Sequence, residues 1–152
     1  MASADSAGIR FPPPLIFLGF VLLGPLVEKM VALPSMPRAW PLGVLLFTLG
    51  FAITAVAQGL FRARREPVTP WTPTSRIIDQ GIYARTRNPQ YLGMALMALA
   101  IALGLRSWTS VVLVLVAALV VQQCVIRREE AYLEAKFGDQ YRAYKARVRR
   151  WL

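Results

Sequence analysis

Two short stretches of this 152-residue chain gather residue types that can do chemistry. The first runs Gly81-Ile-Tyr83-Ala-Arg85-Thr-Arg87-Asn88-Pro89-Gln-Tyr91-Leu-Gly93. Asn88-Pro89 reads as a helix start, with Asn at the cap and Pro at the first helical position. The first turn of a helix offers free N–H groups and a positive dipole end, which suit a carboxylate or phosphate. Arg85 and Arg87 add positive charge there, and Gly93 lets another group approach the backbone closely. The plainer alternative is a capped membrane helix with an arginine-rich edge. The second stretch is Arg127-Arg128-Glu129-Glu130-Ala-Tyr132-Leu133. Its two carboxylates either pair with nearby cations (Glu130 with Lys136, Glu129 with Arg85) or accept hydrogen bonds from ribose hydroxyls or an amino group of a ligand.

The elements that position these stretches are apolar. The chain is 56% hydrophobic with a mean hydropathy of +0.45, too apolar for a soluble domain of this size. Uncharged runs at 11–27, 39–61, 88–105 and 107–126 approach or exceed the length that crosses a bilayer. They predict four membrane spans at about 12–30, 39–61, 89–105 and 107–126, with Pro25 kinking the first near its exit. The last two form a hairpin turning at Arg106-Ser107, because one unbroken helix would overshoot the bilayer. Trp40 and Trp108 each open a span as interfacial anchors. The first run gives way to Glu28-Lys29, unlike a signal-peptide cleavage site.

Charge then orients the spans. The chain carries 18 Lys+Arg against 8 Asp+Glu, and fifteen of the 18 fall before the first span, in the loop 62–88 or in the tail 127–152. The positive-inside rule therefore places both termini in the cytoplasm, in the inner membrane for a bacterial protein. The basic excess reads as topology and attraction to anionic lipid headgroups, not as a nucleic-acid surface. With no histidine and the single Cys124, no Cys/His metal site can be assembled and the commonest general base is missing. The loop, with Pro67, Pro70, Pro73 and Gly81, is expected to be irregular apart from a short turn at 75–79. In the tail, Leu133, Phe137, Tyr141, Tyr144 and Val148 recur as one helical stripe, interrupted by Gly138-Asp139. Such a basic amphipathic tail can lie on the membrane surface. The expected architecture is an all-α integral membrane protein, a single domain over 1–152, with four transmembrane helices and an amphipathic cytoplasmic tail.

Together, Gly81, Tyr83, Arg87, Asn88, Pro89, Tyr91 and Gly93, followed by Glu129, Glu130, Leu133, Phe137, Gly138, Tyr141, Tyr144, Val148 and Arg150, resemble two signature blocks of one superfamily. It comprises the isoprenylcysteine carboxyl methyltransferases and phospholipid methyltransferases, which are integral membrane enzymes. The resemblance covers about 79–152 and implies S-adenosylmethionine bound at the cytoplasmic end of the last two spans, beneath the folded-back tail. It also implies a lipophilic acceptor arriving from the bilayer. On that likeness Arg87, Asn88, Tyr91, Gly93, Glu129, Glu130, Tyr141 and Tyr144 are the expected cofactor-binding residues, and Glu130, Lys136 and Arg150 the expected catalytic ones. Tyrosine faces suit a sulfonium through cation–π attraction. Asn88 stands where many members have histidine, and Lys136 where some have arginine. An NADPH-dependent membrane reductase of related architecture and a non-catalytic lipid- or cofactor-binding protein are the competing expectations.

Overall fold

The computed structural model describes residues 12–67, 72 and 74–152; Arg10, Pro70 and Pro73 lie outside the described residues. Within them the chain is helical without a strand: α1 (Pro13–Val31), α2 (Trp40–Ala63), a 3-10 turn (Gly81–Ala84), α3 (Pro89–Gly104), α4 (Trp108–Val121), a π-helical turn (Gln122–Ile126), α5 (Arg127–Phe137) and α6 (Asp139–Arg147). Three continuous helices are long and apolar enough to cross a membrane: Pro13–Val31, Trp40–Ala63 and Trp108–Phe137. The third joins α4 to α5, and α3 is a shorter apolar helix.

Proline and capping geometry explain where these helices begin. α1, α2 and α3 each carry proline in the first turn, where the missing N–H costs no hydrogen bond. α4 starts at Ser107, whose hydroxyl accepts from Ser110 N at 3.0 Å. A second cap comes from α1: Glu28 accepts from Thr109 N at 2.8 Å. Arg106 takes the left-handed conformation at the expected hairpin turn (φ 57°), and its guanidinium donates to Met36 O at 2.9 Å. α1 runs through Pro25 to Val31.

α2 packs along α3 and α1 along α4, with α3 and α4 side by side between them. Small residues allow this close approach. A methyl at Gly93 would collide with Thr54 Oγ1 and fall 2.5 Å from Gly50 O on α2. One at Gly24 would collide with Ser110, whose hydroxyl donates to Val21 O at 2.7 Å. The core is a seam of Phe17, Val21, Ala98, Ala102, Val114, Ala117 and Val121, while large side chains such as Leu22, Phe47, Phe51, Leu115 and Leu119 face outward. An interior of small residues under an apolar exterior suits lipid as solvent, and this is an integral membrane protein.

Two expectations need correction. The turn in the loop forms at Gly81–Ala84, not at 75–79, because Ser75 is drawn away to Glu66. The tail does not begin as a separate helix either. α4 continues through the π turn into α5, since nothing from 122 to 136 breaks a helix, and the real break is at Gly138 (φ 54°). The stripe Leu133, Phe137, Tyr141, Tyr144 and Val148 closes on itself and on Ile77 of the loop, so it is packed against protein.

Candidate active site

The uncharged part of the α4–α5 helix ends at Ile126, and the charged residues from Arg127 onward lie beyond it, level with the start of α3. There a cleft opens between the loop, the start of α3, α5 and α6, enclosing about 900 Å³ with its mouth included. Arg87, Asn88, Tyr91, Glu129, Glu130, Tyr141 and Tyr144 all line it. Residues far apart in sequence thus converge because the α3–α4 hairpin returns the chain to the same end.

Glu130 is the keystone of this end. Arg150 grips it with two bonds, Nε to Oε1 at 3.0 Å and Nη2 to Oε2 at 2.6 Å, and Arg87 Nη2 reaches Oε1 at 2.8 Å. Burial alone would raise the pKa of Glu130, but the hydrogen bond from Arg150 and the charge of Arg87 outweigh it and hold the carboxyl below its usual range. Arg87 also donates to Lys145 O and Val148 O, each at 3.0 Å. Its Nε is buried without a hydrogen-bond partner. Neither pairing considered from the sequence, Glu130 with Lys136 or Glu129 with Arg85, forms.

After α6 the chain crosses back over the start of α3 as a strap. Arg87 N donates to Arg149 O at 3.0 Å, and both Asn88 Nδ2 (2.9 Å) and Thr86 Oγ1 (3.2 Å) donate to Arg150 O. Trp151 Nε1 donates to Gln122 Oε1 in the π turn at 2.6 Å. Asn88 does occupy the cap position of α3, but its side chain makes no capping bond. Its amide is committed to the strap instead.

Glu129 contrasts with its neighbour. It accepts from Tyr91 Oη at 2.7 Å and makes no ion pair with the described residues. Burial, reinforced by the charge of Glu130 and opposed by the Tyr91 hydrogen bond, pushes its pKa up to about 7. Burial likewise keeps the Tyr141, Tyr144 and Tyr83 phenols protonated far above neutral pH. Tyr144 Oη donates to Tyr83 O at 2.8 Å, and the Tyr141 and Tyr144 rings are tilted at 6.0 Å. Glu129, by contrast, titrates near neutrality.

Three expected residues fall elsewhere. Gly93 faces Gly50 and Thr54 in the α2–α3 contact, a packing role. Lys136 is exposed, with Nζ 3.1 Å from Tyr132 Oη and 5.5 Å from the centre of that ring. Seven residues beyond Glu129, it lies two turns farther along the same side of α5 and outside the cleft lining. Arg150 sits behind Glu130 and outside the lining.

The sequence reading missed the loop wall. Glu66 is buried and accepts from Ser75 N at 2.8 Å, from Thr74 Oγ1 at 2.9 Å and from the Ser75 hydroxyl, with Arg76 Nε 3.3 Å away. Burial would raise its pKa, but the Ser75 and Thr74 hydrogen bonds hold it down. This knot shapes a wall to which Pro67, Thr74, Arg76 and Ile77 contribute. A signal existed: Glu66 is the one acid among the four arginines of 62–76. Among the described residues no group of three or more His, Cys, Asp or Glu is placed to hold a metal ion.

Known proteins share parts of this chain. A protein of Haemophilus influenzae described as uncharacterized is 50% identical over 62 residues, 41% of this chain and 98% of that protein. Protein-S-isoprenylcysteine O-methyltransferase of Schizosaccharomyces pombe is 35% identical over 72 residues, 47% of this chain but 30% of the yeast protein. No solved structure matches significantly. Residues 39–140 match the family described as phospholipid methyltransferase, two thirds of the chain including the cleft's α3 and α5 walls. The chain belongs to this phospholipid methyltransferase family of membrane methyltransferases.

Proposed function

We propose that this protein transfers a methyl group from S-adenosylmethionine to a lipophilic acceptor at the cytoplasmic face of the membrane. The observation that carries it is Glu129: a cleft-lining carboxylate that pairs with no cation among the described residues, beside tyrosine faces and next to a second acid neutralised by two arginines. Such a site fits a ligand with a positive centre and hydroxyl donors. When bound, the cofactor supplies an electrophilic sulfonium methyl, whose C–S electron pair stays on sulfur as the acceptor's nucleophilic atom takes the carbon.

The protein's own part is to bind, orient and exclude water. Glu129 accepts from the ribose or amino group, oriented by Tyr91. Tyr141 and Tyr144 offer aromatic faces to the sulfonium. Glu130, Arg87 and Arg150 set the backbone and the strap around the cleft, with Asn88 as the clasp. With the phenols protonated, Glu129 is positioned to take a proton near neutral pH, and a carboxylate or thiolate acceptor needs no base. Lys136 receives no role.

The topology completing this reading has four spans. α3 has 16 residues and rises about 24 Å, short for the hydrocarbon core but flanked by α2 and α4 along its length. The excess of Lys and Arg in the loop and the tail supports a cytoplasmic loop, cleft and termini. Labelling single cysteines at Ser35 and Ser75 in a Cys124→Ser background should reach Ser35 from outside and Ser75 only from inside. Isothermal titration decides the cofactor: S-adenosylhomocysteine binds and NADPH does not. Binding of NADPH alone would make the protein a reductase instead.

A further inference from the structure

We infer that Trp151 and Gln122 are positioning residues of the methyl-transfer site: their contact holds the π-helical turn, and the extra residue in that turn is what presents Glu129 to the cleft. The link to catalysis rests on the methyltransferase reading, whereas the geometry stands on its own.

α4 buries Ser110, Val114, Ala117 and Val121, successive positions on one helical face. A regular helix would continue that face to Val125, Arg128 and Tyr132. In the structure Val125 and Ile126 are both buried in the π turn. Beyond it the face runs through Glu130 to Leu133, one residue later than a regular helix allows, and Arg128 is exposed. The residue added by the turn thus rotates α5 by about 100° relative to a straight continuation of α4. Without it Arg128 would stand where Glu129 does, against Tyr91. Glu129 would then take the place of Glu130 between Arg87 and Arg150. The cleft would present a cation where it now presents an acid.

Nothing local demands the wide turn. Gln-Gln-Cys-Val-Ile at 122–126 holds no proline or glycine, and π geometry is rare in a helix. Its holder comes from the strap. Arg127 N donates to Gln122 O, the five-residue step of a π turn, and the Gln122 side chain accepts from Trp151 Nε1 at 2.6 Å. The Trp151 ring packs on the core seam that includes Val125 and Ile126. Arg150, the residue before it, grips Glu130. Strap and turn are therefore set together: the segment that neutralises one acid also fixes the register that leaves the other in the cleft. The sequence hides this because a π turn has no residue signature.

The test uses the full chain in detergent. Trp151→Phe keeps a ring but loses the donor, and Gln122→Leu loses the acceptor. Each should weaken S-adenosylhomocysteine binding roughly 5-fold, the worth of one neutral hydrogen bond, and the double variant should be no weaker than either single one. Gln122→Glu keeps an acceptor oxygen and should bind like the parent. Deleting Cys124, an exposed residue of the turn, gives a regular helix that keeps Glu129 and Glu130 on their present faces. The deletion should bind like the parent and should rescue Trp151→Phe, which an anchor for the strap alone would not allow. Amide exchange over 122–130 without ligand should follow the same order, faster in Trp151→Phe and back at the parent rate once Cys124 is also deleted. The inference falls if both single variants bind like the parent, if their losses add, or if Gln122→Glu binds no better than Gln122→Leu. It falls equally if the deletion folds and does not rescue Trp151→Phe. If the deletion does not fold, the double variant and Gln122→Glu decide. A parent that does not bind S-adenosylhomocysteine would sink the methyltransferase reading, and amide exchange would still decide whether Trp151 holds the turn.

Discussion

The two ends of the helix bundle use the same materials for opposite purposes. At the α1–α2 and α3–α4 turns, Glu28 caps α4 through Thr109 N, Arg106 ties down Met36 O and Ser35 Oγ, and Ser107 caps its own helix. Each group there is committed to backbone or to a neighbour, and none of them lines the cleft described above. At the other end Glu130 is just as fully committed, but Glu129 beside it is not, and a cleft opens in front of it. A polar cluster that satisfies itself is structure. One that leaves a single desolvated acid facing a cavity is poised for a ligand.

The sharpest way to break this comparison is to unpair Glu130. Glu130→Ala should strand Arg87 and release Arg150, costing about 3–5 kcal/mol, the scale for removing one partner of a buried pair. The strap should loosen and S-adenosylhomocysteine binding should vanish. Thermal unfolding in detergent and limited proteolysis near 148–152 would show it, and an unchanged melting curve would demote Glu130 from keystone. Next comes Gly93→Ala, which tests packing without touching the cleft. Its methyl group has no room beside Thr54 and Gly50, so α2 must move away from α3 at a cost of about 1–3 kcal/mol. A direct cofactor role for Gly93 predicts instead a binding loss with normal stability.

Glu129→Gln should separate the two acids. Stability should hold, while affinity for S-adenosylhomocysteine falls about 10- to 150-fold, equivalent to roughly 1.5–3 kcal/mol for one charged hydrogen bond. Its pH dependence has a definite sign. Glu129 binds its proton more tightly in the folded protein than in the unfolded chain, so it stabilises the fold at low pH, and that contribution is lost as pH rises through about 7. Ligand affinity runs the other way, rising through pH 7 as the carboxylate ionises, and Glu129→Gln should flatten both profiles. The smallest effect belongs to the far end: Glu28→Gln keeps an oxygen to cap Thr109 N, so cofactor affinity should stay within about twofold of the parent.

Apolar periodicity and charge made the helices legible, because lipid leaves few alternatives for an uncharged run of this length. The hairpin at Arg106 and the break at Gly138 came from single residues. Other features turned on tertiary competition that local pattern does not carry. Asn88 had the composition of a cap, yet Arg150 O, 62 residues away, claimed its amide. Glu129 and Glu130 are indistinguishable as sequence neighbours, and Arg87 before α3 together with Arg150 of the strap decides which acid is neutralised. The Glu66 knot stayed hidden because its partners sit in an irregular proline-rich loop with no period to read.

Methyl transfer itself is the most direct test. Purified protein should be incubated with methyl-labelled S-adenosylmethionine and a total lipid extract, in parallel with Glu129→Gln and Glu28→Gln. The label should enter the organic phase with the parent and with Glu28→Gln, and fall at least about tenfold with Glu129→Gln. Equal labelling by all three would contradict the assignment of the site, and no labelling by a parent that binds S-adenosylhomocysteine would contradict the assignment of a lipid acceptor.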